Sequence, residues 1–588
     1  PALLQRAAGA TANNPLKRRQ AHLLVPALRA LVLSKLPEYM VPSAFVELDA
    51  LPLLPTGKVN RKALPAPSFA RAESEDTYVA PRTPTEELLA GIWEEVLRID
   101  RVSVHDNFFT LGGDSILSIR VISKAQQAGL ALSVQQIFAH QTVAGLSSVA
   151  TPAERQRAEQ GPVAGPVALT PIQHWFFAQE RVEPHHFNQA VLLETCERLL
   201  PSVLQKAVEA LLSHHDALRL RFVREGGAVR QLNAGLGETA EVVTVDLSAV
   251  PAAQQAAAIE AHATEIQASL RLAEGPLLRV ALLELGPERP LRLLIVIHHL
   301  AVDGVSWRIL LEDLETAYTQ LARGQAPELP LKTTSFQAWS ERLSAYARTD
   351  ALHKELPFWR AMPRATPLPM DLEGGENTVA AARTVEVTLE AEETRALLQD
   401  VPAVYRTQIN DVLLTALVQA FAAWTGSRSL RFDLEGHGRE ELFSELDVSR
   451  TVGWFTALFP VALELSGPSP AEALKSVKEQ LRRIPRRGIG YGLLRYLSPE
   501  PGLGAELLAD ASSEVSFNYL GQLDASLSAS RLFRRASESS GPMQSPRGRR
   551  THVIDINSWI AEGRLCAVWT YSENSHRRAT IEGLARRF

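Results

Sequence analysis

Residues 291–307, "LRLLIVIHHLAVDGVSW", constrain the fold more than any other stretch. The near-continuous apolar run 291–297 reads as a buried strand. It stops at His298-His299, and an Asp303-Gly304 turn follows. Beyond the turn, "WRILLEDLETAYTQLARG" has the spacing of an amphipathic helix closed by Gly324. A buried strand that hands over to a helix needs further layers to cover it, and the rest of the region supplies them. "LRFDLEGHG" (430–438) alternates strictly, with Leu430, Phe432 and Leu434 on one face and Arg431, Asp433 and Glu435 on the other. "HVIDINSWI" and "LCAVWTYS" read as a late hairpin. The region therefore reads as α/β.

Two linker-like stretches, 64–83 and 151–168, separate this region from two smaller ones. The expected layout is an N-terminal piece at 1–68, a helical bundle at 78–150 and the large α/β piece at 165–588. The last is read as two halves, about 165–365 and 380–588, joined through "EGGENTVAAA" (373–382). In the bundle, Thr83, Pro84 and Glu86 form a capping-box signature for a first helix. A second helix is expected from Asp114 to just before Gly129, and a third over "SVQQIFA". "RASESSGPMQSPRGRR" (535–550) reads as a solvated loop.

Acidic residues outnumber basic ones by 66 to 61, which argues against a nucleic-acid binder. Two cysteines, Cys196 and Cys566, allow no disulfide framework or metal-ligand spacing, so the cytoplasm is the expected setting and no metal is expected. No run is long enough to span a bilayer. A chain that opens at Pro1 with no leader reads as a piece of something longer.

"LGGDSI" (111–116) places Ser115 in a first helical turn, after two glycines and a capping Asp114. Taken alone, Ser115 reads as a helix-start serine. A hydrolase nucleophile is disfavoured, since the Gly-x-Ser-x-Gly elbow is missing. A helix N-terminus does favour a phosphodiester, because its free N–H groups and dipole attract negative charge. With this motif, residues 80–150 resemble a peptidyl carrier protein of a nonribosomal peptide synthetase. The resemblance implies 4′-phosphopantetheine on Ser115, installed by a phosphopantetheinyl transferase. Asp114 at this point of the motif resembles carriers that precede an epimerization domain.

"LPTGKVNRKAL" (54–64) lacks the P-loop pattern, and Lys58 alone reads as a surface lysine. The surrounding stretch resembles the C-terminal lid of an adenylation domain, which implies a small α+β remnant at 1–68 in which Lys58 would act as the charge clamp. The large adenylation subdomain is missing, so ATP and Mg²⁺ are expected only with an upstream adenylation core.

"HHLAVDG" resembles the His-His-x3-Asp-Gly signature shared by condensation, epimerization and chloramphenicol-acetyltransferase-like domains. The resemblance implies that His299 does acid/base chemistry, that His298 is packed or hydrogen-bonded, and that Asp303, followed by Gly304, supports the loop. "LTPIQHWFF", "DLEGHGREEL", "RTVGWFTALFPV", "PRRGIGYGLLRYL" and "FNYLGQLD" resemble epimerization motifs in the family's order. They imply two acetyltransferase-like lobes around a tunnel, with Glu435 as the second acid/base group; the oxyanion that develops on the thioester needs a donor, which Asn518 or Tyr519 of "FNYLGQ" is expected to supply. Trp175, Phe176 and Phe177 are expected in the core, Gly488, Gly490 and Gly492 in turns, and Arg450 and Trp454 as ties between the halves.

The expected activity is L-to-D epimerization of an aminoacyl or peptidyl thioester, with a downstream condensation domain of a partner synthetase as its consumer. The alternatives are a condensation enzyme joining two carrier-bound substrates and a non-catalytic docking module, which would have a broken histidine motif.

Overall fold

The computed structural model describes residues 78–588 apart from 98, 153–157, 238, 441, 444, 468, 510–512 and 523–529. The lid reading of 1–68, with Lys58, lies outside the described residues.

Helices Pro84–Leu97, Ser115–Gln127, Val134–Ala139 and Val143–Val149 enclose a core around Trp93 and Phe108. The capping box at Thr83 forms only in part. Thr83 Oγ1 accepts from the Glu86 N–H, but the Glu86 carboxylate accepts from the Arg82 backbone N–H and guanidinium. Arg82, which offers a cation as well as an N–H, outcompetes the Thr83 N–H for that carboxylate.

The large region holds two main sheets. One is five-stranded and contains the histidine strand Arg292–His298 at its centre, between Asn188–Thr195 and Leu278–Glu284, both antiparallel to it. Every residue of the histidine strand is buried, as the apolar run requires. The other sheet is six-stranded. In it the glutamate strand Ser429–Gly436 lies between Ala457–Glu464, antiparallel, and Val515–Gln522, parallel. The late hairpin forms as Ile554–Ala561 against Arg564–Ser572.

Two expectations need correction. The segment 535–550 is not a free solvated loop. Strand Phe533–Arg535 pairs with Leu193–Thr195 at the edge of the first sheet. Beyond it, Glu538 binds Arg292 and Met543 O accepts from the Asn188 N–H. Its Ser/Gly/Pro composition hides this because the partners, backbone groups and the Arg292 side chain, lie in remote strands. Gly490 and Gly492 do not serve turns. They lie inside helix Ile489–Leu497, where a Cβ would meet Glu355 Oε2 at 2.0 Å and Pro171 Cβ at 2.9 Å respectively. Close packing, not backbone freedom, selects glycine at both. Gly488 does take a left-handed conformation, at the helix N-cap. Phe176 is buried as expected, while Trp175 and Phe177 are only partly so.

Among the described residues no helix is long and apolar enough to cross a membrane.

Candidate active site and carrier junction

The two histidines part at the strand end. His298 completes the strand, is fully buried and is bonded at both ring nitrogens. Its Nε2 lies 2.8 Å from Pro184 O, and its Nδ1 accepts the Leu300 N–H. Burial pushes it down to about 3, so it stays neutral.

His299 opens the following turn and is half-buried, with its ring between Phe187 and Trp454, the latter 4.2 Å away centre to centre. Two contacts define its tautomer. Nδ1 lies 2.8 Å from Val302 O, a pure acceptor, so Nδ1 carries the proton. Nε2 lies 3.0 Å from Gln189 Nε2. The Trp307 indole N–H, which can only donate, takes Gln189 Oε1 at 2.8 Å, so Gln189 presents its NH₂ to the ring. His299 Nε2 therefore carries a lone pair. Burial lowers the basicity of this imidazole and keeps it neutral at rest.

Asp303 caps the next helix, Gly304–Ala322, through the Ser306 N–H at 2.8 Å. Its carboxylate also takes Arg439 Nη2 at 3.0 and 3.1 Å and the Phe455 N–H at 3.1 Å. Arg439 stands four residues after Glu435 in "EGHGRE", as Asp303 stands four after His299. This buried pair ties the histidine turn to the loop that leaves the glutamate strand.

Glu435 sits near the end of that strand, half-buried, and accepts from Asn518 Nδ2 at 3.0 Å. Burial pushes its carboxyl up to about 7, and Asp555 and Asp433 add to the rise against the opposing charge of His552. Burial alone would lower His552, but hydrogen bonds to Asp433 and Asp555 hold it up to about 10. A fixed cation and two carboxylates thus surround the site without neutralising Glu435.

Strand alternation separates the two candidate oxyanion donors. Asn518 joins Glu435, whereas Tyr519 faces the other way, toward the start of helix Ser115–Gln127. There its hydroxyl is buried without a hydrogen-bond partner, and burial raises its pKa well above 10.

Ser115 opens that helix. Asp114 caps it, with Oδ1 accepting the Ile116 and Leu117 N–H groups. Asp114 Oδ2 has no hydrogen-bond partner and lies near Arg308, which donates to Gln522 O at 3.2 Å. Gln522 Nε2 in turn donates to Gly112 O at 2.7 Å. Gly521, with φ +73°, allows this approach: a Cβ there would lie 3.0 Å from Ile116 Cδ1 and 3.1 Å from Asp114 Oδ2. We expect Gly521→Val to lower the turnover of carrier-tethered substrate about ten-fold, equivalent to ~1.4 kcal/mol of lost docking. Single-turnover kinetics on the loaded chain reads this.

Away from the site the fold assembles a group the sequence reading did not find. His214, His215 and Asp313 bring ligand-type atoms within 4.8 Å of one another. His215 Nε2 and Arg450 take the two oxygens of Asp313, making an ion-pair network. Arg450 thereby fastens the loop that leads to Trp454 onto helix Gly304–Ala322.

Residues 163–588 match the condensation-domain model, and 87–149 match the phosphopantetheine attachment site. The chain belongs to the condensation-domain family. This family member is a nonribosomal peptide synthetase segment with a carrier domain that holds a covalent 4′-phosphopantetheine. It is 52% identical over 94% of its length to one of the linear gramicidin synthase proteins of Brevibacillus parabrevis, of which it covers 7%. It is 40% identical over 95% of its length to tyrocidine synthase 1 of the same organism, of which it covers 52%. The chain thus spans about half or less of these curated relatives. Among solved structures it resembles the epimerization domain from the third module of tyrocidine synthetase B, with 37% identity and a TM-score of 0.69. That match covers 74% of this chain and 96% of the other. The X-domain from teicoplanin biosynthesis shares the two-lobed fold at 20% identity and a TM-score of 0.58.

The carrier end suits its prosthetic group. The N-terminal dipole of helix Ser115–Gln127 favours a phosphodiester, and the unpartnered Tyr519 hydroxyl, a donor, belongs to a residue that lines a cavity beside that helix start. Such a carrier implies a phosphopantetheinyl transferase and neighbouring synthetase modules.

Proposed function

We propose that this segment inverts the Cα stereocentre of an aminoacyl or peptidyl group tethered at Ser115. The observation that carries the reading is Glu435, a carboxyl held near neutral pKa by burial and bonded to Asn518. Condensation has no use for such a second acid. The 37% identity to an epimerization domain favours the same choice.

The phosphopantetheine arm supplies a thioester, whose carbonyl acidifies the Cα proton. The residues of the chain do the rest. His299, neutral with its basic lone pair on Nε2, is fitted to remove a proton once the Gln189 amide that donates to that nitrogen gives way to the substrate. Glu435, near pKa 7, is fitted to return one from the other side. The roles exchange for the reverse reaction. Asn518 has a second amide hydrogen with which to meet charge on the thioester oxygen. Asp303 and Arg439 hold the two loops in register. Lys58 is assigned to clamp the upstream adenylation chemistry, and a downstream condensation domain to consume the D-product.

The test is to load the carrier with an L-aminoacyl arm in D₂O. We expect deuterium at Cα and a product approaching equal L and D forms, since the free energies of the two are nearly equal on this arm. A chain that retains its Cα hydrogen while joining two carrier-bound groups would establish condensation instead.

A further inference from the structure

Arg181 stands behind the two histidines with no carboxylate to balance its charge. Helix Pro171–Ala178 ends at Gln179, and Glu180 then turns the chain in a left-handed conformation, φ +46°. Such a turn is costly for a residue other than glycine and persists only where its surroundings hold it. It brings Arg181 onto three aromatic rings. The guanidinium carbon lies 4.1 Å from the centre of Phe187, 5.3 Å from Phe176 and 5.7 Å from Trp175. Among the described residues no carboxylate pairs with it, and its Nε is buried without an acceptor.

The same rings carry the histidines. Phe176 meets His298 edge-on at 5.7 Å, and Phe187 stacks on His299 at 5.5 Å with 16° between the planes. Trp454 also packs on His299, at 4.2 Å. A histidine lodged between aromatic rings gains a proton readily, because ring faces attract cations. Here Phe187 already carries one cation, and a second beside it is repelled. The other groups that face His299 do not cancel this repulsion. Asp303 favours an imidazolium, but Arg439 holds both of its oxygens. His298 is neutral, and Gln189, Val302 O and Trp454 carry no charge. Burial is the first cause of the low basicity of His299, and the charge of Arg181 acts in the same direction.

We propose that Arg181, seated on Phe187, is a positioning residue that keeps His299 free of a proton and so ready to serve as the base. The kinetic part of this rests on the epimerization reading; the state of the imidazole does not. A lone cation fits this task better than an ion pair would, since a carboxylate partner would cancel its field at the histidine.

The test replaces Arg181 by methionine, which keeps an apolar stem on the rings, by glutamine as a second neutral variant, and by lysine, which keeps the charge. In the full chain labelled with ¹³Cε1-histidine, the His299 signal is assigned by its loss in His299→Gln and titrated. It should protonate at higher pH in the methionine and glutamine variants than in the intact chain, and at nearly the intact pH in the lysine variant. Removing a like charge makes the imidazole more basic, so less of it is free on the acid side. The variant-to-parent ratio of single-turnover epimerization should therefore be at least about three-fold lower at pH 5.5 than at pH 8 for the two neutral variants, and flat for lysine. A His299 titration that coincides in the intact chain and in whichever neutral variant circular dichroism shows folded overturns the proposal, whatever reaction the site performs. A titration that moves as expected in a chain that never exchanges its Cα hydrogen upholds the role of Arg181 and overturns epimerization instead.

Discussion

Replacing Arg439 by methionine is expected to weaken the fold by about 3–5 kcal/mol, the usual cost of breaking one side of a buried ion pair. The guanidinium holds both oxygens of Asp303, at 3.0 and 3.1 Å, and donates to Val448 O and Thr451 O at 2.9 and 2.7 Å. Its carbon sits 3.9 Å above the Phe455 ring. Methionine fills much of this volume but leaves Asp303 charged, buried and dependent on Ser306 and the Phe455 N–H. It also takes a donor from Thr451 O and from Val448 O, the latter keeping the Thr451 N–H at 3.3 Å. The functional loss should be larger still. In the proposed reaction His299 and Glu435 act on one substrate, and the pair joins the segments that follow each of them; a displacement of ~1 Å at reacting groups costs about 10²-fold in rate. Arg439→Lys keeps the charge but not the fork, so it should fall between the two. Urea midpoints and single-turnover epimerization, the latter at a temperature where circular dichroism shows each variant folded, separate the two effects. A methionine variant that keeps both its midpoint and its rate would mean that the two loops are held together by something else.

The Arg439–Asp303 pair also shows where reading the sequence reaches its limit. Both residues stand in motifs that the sequence makes conspicuous, yet 136 positions separate them and no local periodicity signals their contact. The places of His299, just past one strand, and Glu435, next to last in another, were legible because the alternation and apolar pattern of both strands are plain. Asn518 and Tyr519 were legible as a motif but not as individuals. Only the parallel pairing that sets Leu434 against Phe517 puts Asn518 beside Glu435 and turns Tyr519 to the carrier. Gln189, which orients His299, comes from a neighbouring strand and carries no sequence signature. Segment 535–550 looked solvated because partners such as the Arg292 guanidinium and the Asn188 N–H lie more than two hundred positions away in sequence. The glycines at 490 and 492 looked like turn residues because a sequence cannot distinguish backbone freedom from lack of room.

Glu435→Gln should produce a chain that is nearly inactive and, above neutral pH, more stable than the parent. The loss of rate follows from chemistry: an amide cannot return a proton, and removal of a general acid typically costs about 10²–10⁴-fold. The gain in stability follows from linkage. Burial raises the carboxyl from its ordinary 4.5 to about 7, so the folded state binds this proton more tightly than the unfolded state does. The stabilisation is complete below pH 4.5, declines as pH rises from there, and is gone once pH passes through 7. Above that the folded chain carries a buried charge, at a cost of roughly 3 kcal/mol for a rise of this size at 1.36 kcal/mol per decade. Glutamine resembles the neutral acid at every pH. Its urea midpoint should therefore match the parent near pH 4.5 and exceed it increasingly up to pH 8. The Asn518 contact persists, since glutamine keeps an oxygen to accept it. Were the two curves to run parallel across this range, burial would not be what sets this carboxyl. Were Glu435→Gln to epimerize at the parental rate, the proton would be returned by another group, and Glu435 would be left a structural partner of Asn518.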